Sequence, residues 1–345
     1  MGALSIHGGF LNIEEIAKIS GVSRSTVSRV INNDARVRDE TRQRVQEVIN
    51  RLGFQPNAMA RSLAGGKSHI LGLVIPVGVS ALFVDPYFPL LIQGVSSACN
   101  AREYSVVLWL AEPEYERRMM REILHNGLVS GVIVASMVFD DPIVHALAES
   151  DIPFILVGRH PDNEKISYVD VDNLNSAREA VSHLVRLGRK RVATITGPQN
   201  MVVGIDRYQG YLDAVRRAGL VVDPNLVAEG DFSDMGGYMC MKSLLPFRPD
   251  AVFAASDIMA VGAMRAINEA GLRIPVDVAV VGFDDIPVAA HTNPPLTTIR
   301  QPAMRTGSLS TEVLIDMVEH PVSQPHRIVL PTELVIRSSC GSVKP

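Results

Sequence analysis

The sequence predicts a small all-α head joined to an α/β body of two doubly wound parallel-sheet lobes. Three observations predict it. Short amphipathic helices broken by glycine turns fill the first fifty-odd residues. From His69 onward, apolar runs of strand length alternate with amphipathic helices, in two successive sets. Charge is divided in the same way: residues 1–69 hold ten Lys+Arg against six Asp+Glu (+4), leaving 23 against 31 (−8) for the rest. A basic head on an acidic body is the asymmetry expected when only the head meets nucleic acid.

The totals agree with a multi-unit globular protein. A chain of 345 residues is long for one domain, and 47% hydrophobic content can build large cores. The longest apolar stretch, "ILGLVIPVGVSALFV", is too short and too interrupted to span a membrane. The start "MGALSIHGGF" has neither a basic region nor an apolar core of a signal peptide. Cys99, Cys240 and Cys340 are too few and too far apart for a disulfide framework or zinc site. They fit a reducing cytoplasm, the expected location. No metal or cofactor is expected.

In the head, Asn12 and Glu15 have the spacing of a capping box at the start of "NIEEIAKIS". Ile13, Ile16 and Ala17 share one face of that helix. A Gly21-Val22 turn follows, and Ser23 is placed to cap the next helix. There Val27, Val30 and Ile31 point inward, while Arg24, Ser25, Ser28, Arg29 and Asn32 point outward. A third helix, Asp39 to Leu52, buries Val45, Val48, Ile49 and Leu52 and stops at Gly53. Two helices about a tight turn form a helix-turn-helix, whose second helix enters a major groove. Arg can bond guanine twice, and small hydroxyl residues let the backbone approach bases and phosphates. By pattern alone, the same face serves equally well as the wet side of a helical bundle.

The body strands are "ILGLVIP", "SVVLWLA", "GVIVAS" and "PFILVGR", then "YVDVD", "RVATITG", "VAEGDF", "AVFAAS" and "VAVVGFDD". Ligands of open α/β sheets sit beyond the carboxyl ends of the strands. That rule selects Asp172, Arg207, Phe232, Ser256-Asp257 and Asp284-Asp285 from the second set. From the first set it selects Asp85-Pro86-Tyr87-Phe88, Ser136 and Arg159. Carboxylates, arginine and aromatic rings together suit a polyhydroxylated ligand. Each residue also has a plain structural use. Asp172 and Asp257 can cap helices, Arg207 and Arg159 can be surface charges, Phe232 can fill core, and Asp284 and Asp285 can be turn acids. "GGKS" is not a phosphate loop, since the first glycine's place is Arg61 and no strand precedes it.

"GVSRSTVSRVIN", "TRQRVQEVINRLGFQPN" and "ARSLA" together resemble the DNA-binding head of the lactose-repressor (LacI/GalR) family. The resemblance continues in "YVDVDNLNSAREAVSHLVRLGRKRVATITGP", "RYQGYLDAV", "PDAVFAASDIMAVGAMRAINEAGLRIPVDVAVVGFDDIP" and "PPLTTIRQP". It implies a periplasmic-binding-protein-like body and a DNA-binding transcriptional regulator rather than an enzyme. Arg24, Ser25 and Arg29 would read bases; Ser23, Thr26, Ser28, Asn32 and Arg36 would hold the DNA around them. Asn57 to Ala64 would become helical on DNA, with Asn57 and Ala60 in contact and Leu63 as a minor-groove wedge. Asp172, Arg207 and Asp284 would contact the effector strongly. Phe232 would stack on it and Ser256 would add a weaker polar contact. Tyr87, Phe88, Ser136 and Arg159 complete that expected set. The effector expected is a mono- or disaccharide.

The insertion "VGVSALFV" before "DPYF" departs from the family's first-lobe loop. The expected divisions are a head at 1–56, a hinge at 57–69 and a body at 70–340. Lobe one takes about 70–166 and 299–325, lobe two about 167–298 and 326–340. "PPLTTIRQP" should return the chain to lobe one, and "HRIVLPTELVIR" should end in lobe two. The tail has no leucine heptad, so a homodimer on a near-palindromic double-stranded DNA operator is expected. An exported sugar-binding protein would share the body but not the head. An enzyme lacks support from any nucleophile, metal or dinucleotide motif.

Overall fold

The structure is a computed structural model. It describes residues 12–31, 34–54, 68–76, 82, 85–110, 118, 120, 123, 127–135, 138–139, 141–160, 165–320 and 324–342. The chain divides into two compact units, Met1–Ser68 and His69–Pro345.

The first unit holds α1 (Ile13–Ser20), α2 (Arg24–Ile31) and α3 (Asp39–Leu52). Asn12 and Glu15 close the expected capping box reciprocally, satisfying otherwise orphaned N–H groups at the start of α1. Gly21 and Gly53 end α1 and α3 with φ of 65° and 62°, a conformation that costs glycine little. Ile16, Val27, Val30 and Val45 form the centre of the small core, joined by Val48, Ile49 and Phe54.

In the second unit, one sheet contains β1 (Ile70–Ile75), β2 (Ser105–Leu110), β3 (Gly131–Val134), β4 (Phe154–Val157), β5 (Tyr168–Val171) and β11 (Arg327–Leu330). Its order is β11-β5-β4-β3-β1-β2, and every pairing is parallel. The other contains β6 (Val192–Thr196), β7 (Val227–Glu229), β8 (Ala251–Ala254), β9 (Ala279–Asp284), β10 (Thr297–Arg300) and β12 (Glu333–Val335). Its order is β12-β10-β9-β8-β6-β7, with β12 antiparallel to β10. Each sheet is buried on both faces, which explains the unbroken apolar strands. In β1, Leu71, Leu73 and Ile75 enter one core while Val74 enters the opposite one.

The first-lobe helices are α4 (Tyr87–Ala101) and α5 (Pro142–Ala148); those of the second are α6 (Asn173–Arg186), α7 (Val202–Arg217), α8 (Asp234–Leu244) and α9 (Asp257–Glu269). The chain then returns to lobe one as α10 (Ala303–Glu319). There α10 and α4 pack backbone to backbone: a Cβ at Gly94 would overlap the Met304 carbonyl, and one at Gly307 the Leu91 carbonyl.

Two lobe assignments change. Tyr168–Val171, expected to begin lobe two, pairs with β4 in the first sheet, so the first crossover follows this strand. Arg327–Leu330, expected in lobe two, pairs with β5 in the first sheet, and only Glu333–Val335 reaches the second. Short apolar strands carry no mark of their neighbours, so alternation alone cannot decide which sheet takes a boundary strand. Among the described residues no helix is long and apolar enough to cross a membrane.

Candidate effector cleft and DNA-reading helix

Between the two lobes lies a cleft of about 640 Å³ of empty space, part of it open to solvent. Asp85 just before α4 and Tyr87 and Phe88 in its first turn enter it from the first lobe, with Asp170 from β5. The second lobe supplies Asn173, Val203, Arg207, Phe232, Ser256 and Asp284. Gln301 and Thr306 enter from the crossover into α10.

Arg207 organises the floor. It is 5% exposed, and its guanidinium lies 3.6 Å from the centre of the Phe283 ring. Its Nε donates to Asn173 Oδ1 at 3.0 Å, and its Nη1 to the Ala255 carbonyl at 2.6 Å. The same Nη1 is 3.4 Å from Asp284 Oδ1, which also accepts from Gln301 Nε2 at 2.5 Å. A planar, always charged fork fits these spread acceptors where lysine could not.

Burial raises the Asp284 carboxyl to about 7 against the opposing pull of Arg207. Burial likewise lifts Asp170 to about 6, although the Val171 N–H favours its ionised form. Asp85 and the Tyr87 hydroxyl are shifted upward by burial too. The walls therefore present carboxyl groups near the point where they can donate as well as accept.

The backbone is turned to aim these groups. Phe232, Asp284 and Asp285 have φ of 61°, 118° and 56°. Such positions cost on the order of 1–3 kcal/mol each and cluster at functional sites. Arg300 and Arg337 bind Asp285 at 2.7 and 2.6 Å, turning it into an anchor while its neighbour Asp284 lines the cleft. Gly197 leaves the space into which the Phe232 ring packs.

Six of the nine expected effector residues line the cleft: Tyr87, Phe88, Arg207, Phe232, Ser256 and Asp284. Ser136 lies outside the described residues. Asp172 does not line the cleft. It caps α6, accepting from the Asn175 backbone at 3.0 Å and the Asn175 side chain at 2.6 Å. The chain leaves β5 at Val171, so the cleft carboxyl is Asp170 instead. Arg159 is also not in the lining; it pairs with Asp206. Asp257 is neither cap nor cleft residue. It is fully buried, accepts from Thr298 Oγ1 at 2.6 Å and the Ile286 N–H at 3.0 Å, and ties the second-lobe strand ends together. Ser256 caps α9 in its place.

Asp170, Asn173, Gln301 and Thr306 also line the cleft and lie outside the expected set. A carboxylate inside an otherwise apolar parallel strand was the available signal for Asp170. Gln301 and Thr306 had none.

In the head, α2 buries Val27 and Val30 and exposes Arg24, Ser25 and Arg29, as the periodicity requires. Thr26 and Ser28 are half-buried. Ser23 Oγ accepts the Thr26 N–H at 3.2 Å and lies 2.8 Å from the hydroxyls of Ser25 and Thr26. Arg24 rests 3.3 Å from Glu14 in an exposed pair that a stronger anion can displace. Arg36 is held by Asp34 at 2.7 Å, and that contact keeps the Asp34 carboxyl well below the usual range. Asn32, Asn57, Ala60 and Leu63 lie outside the described residues.

Residues 12–57 match the bacterial regulatory proteins of the lacI family, and residues 181–340 match a periplasmic binding protein-like domain. The transcriptional regulator CelR of Thermobifida fusca is 39% identical over 331 residues, covering 95% of this chain and 97% of that protein. The chain belongs to the LacI family. The ribose operon repressor of Escherichia coli K12, another relative, is 35% identical over 332 residues, with 95% and 99% coverage. Among solved structures, a CelR–cellobiose complex superposes with a TM-score of 0.77 at 37% identity, covering 95% of this chain and 99% of that one. The lac repressor dimer bound to operator and the anti-inducer ONPF gives 0.83 at 29% identity, with 96% and 99% coverage. This LacI-family protein is thus a DNA-binding transcriptional regulator, not an enzyme.

Proposed function

We propose that the protein is a homodimeric repressor of a near-palindromic operator, controlled by a mono- or disaccharide bound between its lobes. One observation carries the effector assignment: Arg207, Asp284 and Asp170 meet Phe232, Tyr87 and Phe88 in a single cleft. Carboxyl and guanidinium groups bond sugar hydroxyls in pairs, and rings cover the apolar sugar face. The named ligands of two relatives' structures, cellobiose and ribose, support the class. In the head, Arg24, Ser25 and Arg29 read bases, with Ser23, Thr26, Ser28, Asn32 and Arg36 at the backbone and Asn57, Ala60 and Leu63 in the hinge. The effector acts only through its different affinity for the DNA-binding and released states.

A thermal-shift panel of cellobiose, ribose, other neutral sugars, sugar phosphates, nucleobases and nucleosides tests the effector class. A sugar at ~100 times its Kd adds about 2.7 kcal/mol of stability. A response confined to nucleobases or nucleosides, or none to any sugar, refutes the assignment. For the head, Arg24→Ala should weaken operator binding by about 1–3 kcal/mol and relax preference at one base pair. A gel shift showing parental affinity and preference removes Arg24 from base reading.

A further inference from the structure

The lobes are joined by chain along one edge. The crossovers leave β5, β10 and β11, and these strands, with β12, lie at one end of each sheet order. That edge carries the covalent connections between the lobes. Among the described residues, contacts away from that edge also join the lobes, and they end on the segment that follows β6, the fifth strand from the connected edge of its sheet. The Phe139 N–H donates to the Asn200 carbonyl at 2.7 Å, beside a bridge between Val138 and Met201. Arg159, just after β4, meets Asp206 of α7 with Nη2 at 2.6 and 2.8 Å and Nε at 3.2 Å from the carboxylate.

The two arginine–aspartate pairs of the cleft region differ in what they need. Arg207 and Asp284 both belong to lobe two and their side chains are almost completely buried, so their pair survives opening. Arg159 and Asp206 come from opposite lobes, and their contact exists only when these approach. The Arg159 side chain is 35% exposed, enough for water to receive it when the pair parts. Asp206 also sits one residue before Arg207, so whatever holds it holds the cleft arginine against lobe one.

We propose that Arg159 and Asp206 form a salt-sensitive clasp that holds the cleft shut, positioning Arg207 for the effector without touching it. The assignment rests on the cleft being the effector site. A clasp made only in the closed form raises the closed population, and any ligand of that form binds tighter by the same factor.

Hydrogen exchange of the unliganded full chain tests it, because the Phe139 N–H bonds across the lobes and reports their opening. Arg159→Ala and Arg159→Gln should each speed exchange of the Phe139 peptide several-fold to about tenfold, the range between exposed and buried pairs. The reversed pair Arg159→Asp with Asp206→Arg should slow it again, and raising ionic strength should speed exchange in the parent more than in Arg159→Gln. Cellobiose affinity, measured in parallel, should fall in the single variants only in proportion to the closed population they lose. Unchanged exchange in both single variants overturns the clasp. Faster exchange that the reversed pair does not slow, with no salt effect, overturns its electrostatic nature. Failure of every sugar to bind the parent removes the sugar assignment alone, because the exchange result still decides whether the clasp exists.

Discussion

Arg207→Ala tests the cleft floor through stability rather than through binding. The substitution deletes a buried cation whose hydrogen bonds reach Asn173, the Ala255 carbonyl and Asp284. With both partners of the ion pair almost completely buried, solvent screens little of the loss. Removing one partner of such a pair costs about 3–5 kcal/mol. For a domain this large, 1 kcal/mol moves Tm by about 2 °C, so the body transition should fall by roughly 6–10 °C. Protonation tempers the loss. Burial outweighs the downward pull of Arg207 and leaves Asp284 at about 7, so without the arginine the carboxyl holds its proton to still higher pH. The variant therefore binds more protons when folded than the parent does, and its deficit grows as pH rises. Calorimetry of the full chain at pH 6 and pH 8 should show the larger deficit at pH 8. Arg207→Lys should fall between the two, since it keeps the charge but loses the fork and the stacking on Phe283. A Tm within about 1 °C of the parent at pH 8 would refute the reasoning, as would equal deficits at both pH values.

Asp284→Asn isolates the carboxyl itself. Its folded value lies above its unfolded one, so its contribution is present at low pH and lost as pH rises from about 4 through about 7. The stability of the Asn variant relative to the parent should therefore climb across that window, and a fall across it contradicts the assigned burial effect. In Gly197→Ala, the new methyl overlaps the Phe232 ring and should displace it from the cleft. Sugar affinity should drop while operator affinity in a gel shift stays at the parental value; intact sugar affinity removes Phe232 as a stacking residue. Asn12→Ala opens the capping box of α1 and should cost the head about 1 kcal/mol. Denaturation followed by helical circular dichroism reads that loss, and no change would mean that water satisfies those N–H groups equally well.

Features set by local periodicity and chain direction are legible without the fold. The three head helices, their caps and the outward face of α2 follow from spacings within one or two turns. Arg207, Phe232, Ser256 and Asp284 were found because strand ends in a parallel sheet all point to one side, whatever the order of the strands. Tertiary structure decided everything that depends on where a strand stops or which sheet accepts it. Asp170 rather than Asp172 faces the cleft because β5 ends at Val171 and the next residue turns to cap a helix. Arg159 is at a strand end, as expected, yet Asp206 is 47 residues away in sequence and takes its charge only after the lobes meet. Gln301 bonds Asp284 for a similar reason: β9 and β10 lie side by side in the folded sheet, and nothing local to either residue records that pairing. Local pattern encodes the direction a side chain points, whereas the partner waiting there is chosen by long-range packing.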